Sequence, residues 1–238
     1  MENTITEPVL HLASSRGYTE WSWLKSHHSF SFGQYFDAAR IQFGALRVLN
    51  DDWVAPGAGF GAHPHANMEI VTIPLSGDLH HRDSTGRDAI IRSTDVQIMS
   101  AGSGITHSEV NASPTDPVAF LQIWVLPEKE NIEPRYQQMA IKRHLRDEWI
   151  PLVAPDDQRA LFINQQCWMT MRNATAGINA TYSTRNPHHG VYVFVISGTV
   201  FINGQLLGDR DAAGWKSARQ LTIQASKDAC ILCIEVPV

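Results

Sequence analysis

The 238-residue chain has little cysteine, little charge and no long apolar run, and each shortage removes a class of protein. Three cysteines, an odd number for this length, make a disulfide framework unexpected. Two of them form a lone Cys230-x-x-Cys233 in ACILCIEV, which reads as a strand. Residues three apart on a strand face opposite sides, so two small core side chains are expected there rather than a redox or zinc pair. Charged residues make up 18% of the chain, and a net charge of −5 leaves no basic footprint for direct nucleic-acid binding. No apolar run approaches the roughly 18 residues of a membrane span. The opening MENTITEPVLHL has neither the charged n-region nor the apolar h-region of a secretory leader, so a cytoplasmic protein without membrane contact is expected.

What the chain does have is strand-like sequence. A 43% hydrophobic content supplies a core. It is distributed in short runs such as IQFGALRVL, MEIVTIPLSG, AFLQIWVLP and VYVFVISGTVFING, broken by Gly, Pro, Asn and Asp. Their length and their Val, Ile, Phe and Tyr content predict an all-β sandwich or barrel. A few short helices are expected, near Ser14–Lys25 and in the connector around Glu133–Glu148. The pattern also occurs twice. Ile70–Leu79 (IVTIPLSGDL) matches Val191–Val200 (VYVFVISGTV), and Phe120–Val125 (FLQIWV) matches Ile231–Val236 (ILCIEV). The charged, proline-bearing stretch between the copies places a boundary near residue 140, giving domains 1–140 and 141–238. A single long sandwich is the alternative.

Most of the 11 histidines carry no pattern. Two groups do: GFGAHPHANMEIV, with His63, His65 and Glu69, and SAGSGITHSEVN, with His107 and Glu109. On a strand, residues i and i+2 share a face at roughly 6.5–7 Å. Two imidazoles at that spacing can converge on one ion about 2.0–2.1 Å from each nitrogen. If the two strands face each other, three imidazoles and a carboxylate surround one site. Such a donor set suits Fe(II), Mn(II), Ni(II), Co(II) or Zn(II) rather than a soft metal. Glu69 shares the parity of His63 and His65 but lies roughly 13 Å beyond His65 on a straight strand. A turn at Ala66-Asn67 would bring it back. Glu109 is therefore favoured as ligand and Glu69 as a nearby acid. A single HxH is commonly incidental; two such pairs beside glycine-rich turns in one repeat point to a metal. Gly102 and Gly104 are expected to permit the turn that delivers His107. The aromatic group Trp21, Trp23, Phe30, Phe32, Tyr35 and Phe36 is expected mainly in the core, with a ligand pocket as the alternative.

These motifs resemble those of the cupin superfamily. Gly57, His63, His65 and Glu69, with Gly77 one residue late, follow its first motif. Gly104, His107 and Asn111 follow the second, with Gly102 in the place of proline. The stretches WLKSHHSFSFGQYFD from Trp23, FGAHPHANMEIVT from Phe60 and MSAGSGITHSE from Met99 are similar to the pirins, a bicupin family. The likeness is specific at those motifs and weaker beyond residue 140. It implies two tandem cupin β-barrels or β-sandwiches, with the metal held by His63, His65, His107 and Glu109.

In the second repeat, Thr184 and Asn186 stand against the first histidine pair, and Gln224 and Ser226 against His107 and Glu109. His188 and His189 are read as surface or packing residues. One divalent metal per chain is expected, iron first, with Ni, Co, Mn, Cu or Zn as alternatives. The resemblance further implies quercetin 2,3-dioxygenase activity on a flavonol-like molecule and dioxygen. Glu109 is the first choice of base and Glu69 the second. A non-enzymatic metal- or redox-sensing protein that acts on a protein partner is the rival expectation, and a metal-dependent isomerase the third.

Overall fold

Strand-forming sequence with frequent turn residues folds here into antiparallel sheets, seen in a computed structural model that describes residues 7–238. The first six residues, part of the opening read above for a leader, lie outside the described residues. The chain divides into two compact units. One holds Gly17–Ile141 with Leu161–Gln165; the other holds the described residues up to Arg16, Lys142–Ala160 and Gln166–Val238.

In the first unit a seven-stranded sheet runs in the order Arg135–Ala140, Asp95–Ser100, Glu69–Ser76, Val118–Val125, Leu46–Val54, Leu24–His28 and Gly17–Glu20. A four-stranded sheet runs Gly59–His65, Ile105–Asn111, Leu79–Asp83 and Asp88–Ile91. The second unit repeats the plan. One of its sheets contains, in order, Val9–His11, Ala212–Trp215, His189–Ser197, Ala229–Pro237, Trp168–Ala174 and Ile150–Ala154. The other is four-stranded, in the order Asn179–Ser183, Gln220–Ala225, Val200–Ile202 and Gln205–Leu207.

The expected short helices are not there. Among the described residues the only helical turn is the three-residue 3-10 segment Ala13–Ser15. Ser14–Lys25 instead forms the strand Gly17–Glu20 and the start of Leu24–His28, and Glu133–Glu148 forms the strand Arg135–Ala140 followed by turns. The reason is local and tertiary at once. Tyr18, Thr19, Trp21 and Trp23 prefer the pleated surface, and Gly17 weakens a helix. Arg135–Ala140 gains a full ladder against Asp95–Ser100, which outweighs its modest helical propensity. The fold is all-β, with two β-sheet domains and no helix beyond that turn among the described residues. No helix among them is long and apolar enough to cross a membrane.

The two interiors differ in chemistry. In the second unit Tyr182, Val191, Val193, Val195, Trp215, Ile231 and Cys233 belong to one continuous apolar cluster. Cys233 belongs to it while Cys230, on the opposite face, is only partly buried and outside it, so the two thiols do not meet. In the first unit a transverse polar row crosses five neighbouring strands. His28 stands directly opposite Asn50, Asn50 opposite Gln122, Gln122 opposite Thr72, and Thr72 opposite Gln97. All five are buried. Burying polar groups is unfavourable unless they are hydrogen-bonded, so such a row marks a binding interior rather than a packed core.

Candidate metal centre

Strand parity places the histidines. His63 and His65 share one face of Gly59–His65, and His107 and Glu109 share one face of Ile105–Asn111. The two strands pair antiparallel with His107 directly opposite His63 and Ile105 opposite His65. The ladder slips between His107 and Glu109, where Glu109 stands opposite Phe60. On its other edge Ile105–Asn111 pairs without a slip, setting His107 opposite Asp83 and Glu109 opposite His81.

Two turns lock the ends of these strands together. After His65 the chain turns at Asn67, whose φ is +50°. The Asn67 amide donates to the Gly102 carbonyl at 2.9 Å, and the Ala101 amide to the Met68 carbonyl at 2.8 Å. Gly102 has a φ of +49°, and a Cβ there would sit 2.1 Å from the Ile132 carbonyl oxygen, so only glycine fits.

The result is a tight imidazole cluster. Ring centroids are 4.8 Å apart for His63–His65, 4.5 Å for His63–His107 and 4.9 Å for His65–His107. The Nε2 atoms of His63 and His107 lie 3.1 Å apart. Two adjacent ligands of an octahedral ion with bonds of about 2.1 Å would stand about 3.0 Å apart. His63 Nδ1–H donates to the Gly61 carbonyl at 2.7 Å. A carbonyl only accepts, so the proton is on Nδ1 and the Nε2 lone pair is free for a metal. The donor atoms of His63, His65 and His107 all lie within 4.8 Å of one another, and those of His81, His107 and Glu109 do the same. His107 belongs to both groups. This arrangement fits a divalent first-row ion with nitrogen and oxygen donors.

Burial sets the charge states. His107 is pushed down to about 2 by burial, then by the neighbouring His63, His65 and His81. Burial, followed by His63, lowers His65 to about 4. These imidazoles are neutral at pH 7 and need lose no proton to bind a cation. Glu109 is raised to about 7 by burial, opposed by hydrogen bonds from Thr72 and Gln122. Burial also lowers His81, while Asp83 pulls the other way, accepting from His81 Nε2 at 3.0 Å. Sequence reasoning passed over His81 and Asp83; their own i,i+2 spacing in LHHRD is the signal that could have found them.

Glu69 is not brought into the cluster. The turn at Asn67 exists, but it carries the chain into the other sheet. There the buried Glu69 carboxylate accepts from Ser100 Oγ at 2.8 Å and from the Asn164 amide at 3.3 Å. Its carboxyl is raised by burial, against those two hydrogen bonds and Arg135.

The cluster forms part of the wall of a cavity of about 360 Å³, in the range that takes a small organic ligand. Trp21, Phe32, Phe60 and Trp124 supply aromatic faces, and Ser26, His28, Asn50, Asp52 and Gln122 supply polar groups. Of the six N-terminal aromatics singled out above, Trp21 and Phe32 line this cavity, Trp23 packs on Phe60, Phe30 is buried and Phe36 is 75% exposed. Tyr35 stacks on His28.

Residues 10–125 match the family model described as Pirin, and residues 152–236 the one described as Quercetinase C-terminal cupin domain. A quercetin 2,3-dioxygenase of Escherichia coli K12 is 36% identical over 234 residues, covering 96% of this chain and 98% of its own. The chain belongs to the pirin family. Another relative, a putative quercetin 2,3-dioxygenase of Zymomonas mobilis, is 37% identical over 92% of this chain and 93% of its own. The bacterial pirin YhhW of Escherichia coli, solved in complex with nickel(II), superposes with a TM-score of 0.92 at 34% identity, over 97% of this chain and 99% of its own. The pirin assignment agrees with the bicupin architecture, and a related pirin holds a divalent ion.

Proposed function

We propose that this pirin is a metal-dependent dioxygenase that cleaves a flavonol such as quercetin, holding one divalent ion, iron first, with His63, His65, His107 and Glu109. The observation that carries this reading is the convergence of three imidazoles on the wall of an aromatic-lined cavity, with a buried carboxyl beside them. The named relatives support the substrate class. The ion would supply positive charge that stabilises the flavonolate oxygens and positions dioxygen.

The chain's own residues do the rest. Trp21, Phe32, Phe60 and Trp124 exclude water and hold the flat rings. Glu109 takes the proton of the flavonol 3-hydroxyl, which leaves the heterocycle electron-rich enough to react with dioxygen; cleavage then yields a depside and carbon monoxide. Glu69 braces the neighbouring sheet through Ser100 and Asn164. The metal is assigned to the first domain because both clusters of candidate donor atoms among the described residues, His63 with His65 and His107, and His81 with His107 and Glu109, lie there.

The test is dioxygen uptake and carbon monoxide release by metal-loaded protein given quercetin. Flavone, which lacks the 3-hydroxyl, is expected to be inert. No uptake with any flavonol would overturn the enzyme reading in favour of a regulatory, metal-sensing protein.

A further inference from the structure

Asp52 is the one carboxyl of this cavity that the reaction above does not use. It lies on Leu46–Val54, directly opposite Ser26, and it is 3% exposed. The Ser26 hydroxyl donates to Asp52 Oδ1 in a short hydrogen bond. No lysine, arginine or histidine among the described residues pairs with it. A buried carboxyl with a single neutral partner is unfavourable for the fold, and an apolar pair of similar size would serve the two strands better.

The neighbouring polar groups are already engaged. His28 Nδ1–H donates to Asn50 Oδ1 at 2.8 Å, and its Nε2 accepts from the Thr19 hydroxyl at 2.9 Å. Gln122 donates to Glu109 at 2.7 Å. Ser26 fixes one oxygen of Asp52 and leaves Oδ2 without a protein partner, in a side chain that forms part of the cavity wall. Around it stand the aromatic faces of Trp21, Phe32, Phe60 and Trp124. Few, fixed polar groups in an apolar pocket set ligand orientation. Burial raises Asp52 to about 7, with Ser26 opposing and the charges of Asp51 and Glu109 reinforcing, so above neutrality it is a carboxylate that accepts.

We propose that Asp52, oriented by Ser26, is the specificity-determining residue of this cavity, taking a phenolic hydroxyl of a flat aromatic ligand whose metal-binding edge lies at the histidine cluster. This rests on the flavonol reading. It selects polyhydroxylated flavonols over those that carry only the 3-hydroxyl.

The experiment uses nickel-loaded full-length protein at pH 8 without dioxygen, so that Asp52 is ionised and binding is measured without turnover. Quenching of tryptophan fluorescence gives the affinities for quercetin and for 3-hydroxyflavone. Wild type is expected to prefer quercetin by about tenfold or more, the value of one buried hydrogen bond to a charged or acidic group. In Asp52→Leu the ratio falls toward one. If Asp52→Leu does not fold, the near-isosteric Asp52→Asn carries the test. Its amide oxygen accepts from Ser26 and its NH₂ faces the cavity, so a donating hydroxyl loses its acceptor and the ratio again falls. A wild-type ratio in a folded variant overturns the role of Asp52 while leaving the flavonol reading intact. If neither flavonol binds the nickel-loaded wild type, the flavonol reading fails and this proposal fails with it.

Discussion

Gln122 donates from Nε2 to Oε2 of Glu109 over 2.7 Å, reaching it from the opposite sheet. Thr72, directly opposite Gln122, donates its hydroxyl to Oε1 at 3.2 Å. A carboxyl that is pushed toward neutrality by burial is thus held in one orientation beside His107 and His81. Groups that orient metal ligands typically contribute 10–100-fold to affinity.

Gln122→Leu is accordingly expected to weaken nickel binding by about tenfold or more, as read by competition with a chelator. The fold should persist, because the leucine fills similar space. Unchanged affinity would show that Glu109 needs no such brace.

The two glutamates separate cleanly. Wild type is expected to hold one equivalent of metal per chain by elemental analysis. Glu109→Gln should lose most of it, and His63→Ala or His107→Ala should lose both metal and dioxygen uptake. Glu69→Gln should keep the metal and lower stability by about 1–3 kcal/mol in urea, since the hydrogen bonds from Ser100 and Asn164 are those of a buried charged group. The reverse pattern would move Glu69 into the metal site.

The pH dependence of metal-free protein has a definite sign at Asp52. Its folded value of about 7 lies above the ordinary 3.8, so between roughly pH 4 and 7 the folded state keeps a proton that the unfolded chain releases. Its contribution to stability is lost as pH rises through that window. His65 and His107, lowered to about 4 and about 2, act oppositely, their burden easing as pH rises toward 6.5. Asp52→Asn removes only the first effect. Its urea stability relative to wild type should therefore be greater at pH 8 than at pH 5; a constant difference would contradict the raised value.

Gly102→Ala places a Cβ 2.1 Å from the Ile132 carbonyl at a φ of +49°. The backbone strain alone is expected to remove about 1–3 kcal/mol, and displacement of the turn should lower metal affinity as well. Thermal denaturation with and without nickel checks both effects.

Much of the centre is legible in the sequence because strand parity is a local rule. His63 with His65, and His107 with Glu109, need only a period of two to be set on common faces. The preference for Glu109 over Glu69 follows from distance along a straight strand. In the structure the chain does turn at Asn67, yet the Glu69 carboxylate goes to Ser100 and Asn164 in the other sheet. What is not legible depends on register between distant strands. Ser26 meets Asp52, and His28 meets Asn50, only through pairing across more than twenty residues. His81 and Asp83 join the site only because Ile105–Asn111 is a central strand with neighbours on both edges. The helices expected near Ser14–Lys25 and Glu133–Glu148 failed for the same reason, since ladder partners decided the conformation of Leu24–His28 and Arg135–Ala140.

The slip opposite His107 and Glu109 changes the phase of the strand it interrupts. In a regular strand Phe60 and His63, an odd number of residues apart, would point to opposite sides. With two residues from His107 to Glu109 set against three from His63 to Phe60, the two side chains line the same cavity. The same irregularity lies at Gly61, whose carbonyl receives the His63 proton instead of serving only the ladder. One extra residue therefore does two jobs: it turns an aromatic wall inward and selects the tautomer of a ligand. Removing either Gly61 or Ala62 would restore a regular ladder and uncouple both, so the spacing from Phe60 to His63 is as much a part of the site as the side chains at its ends.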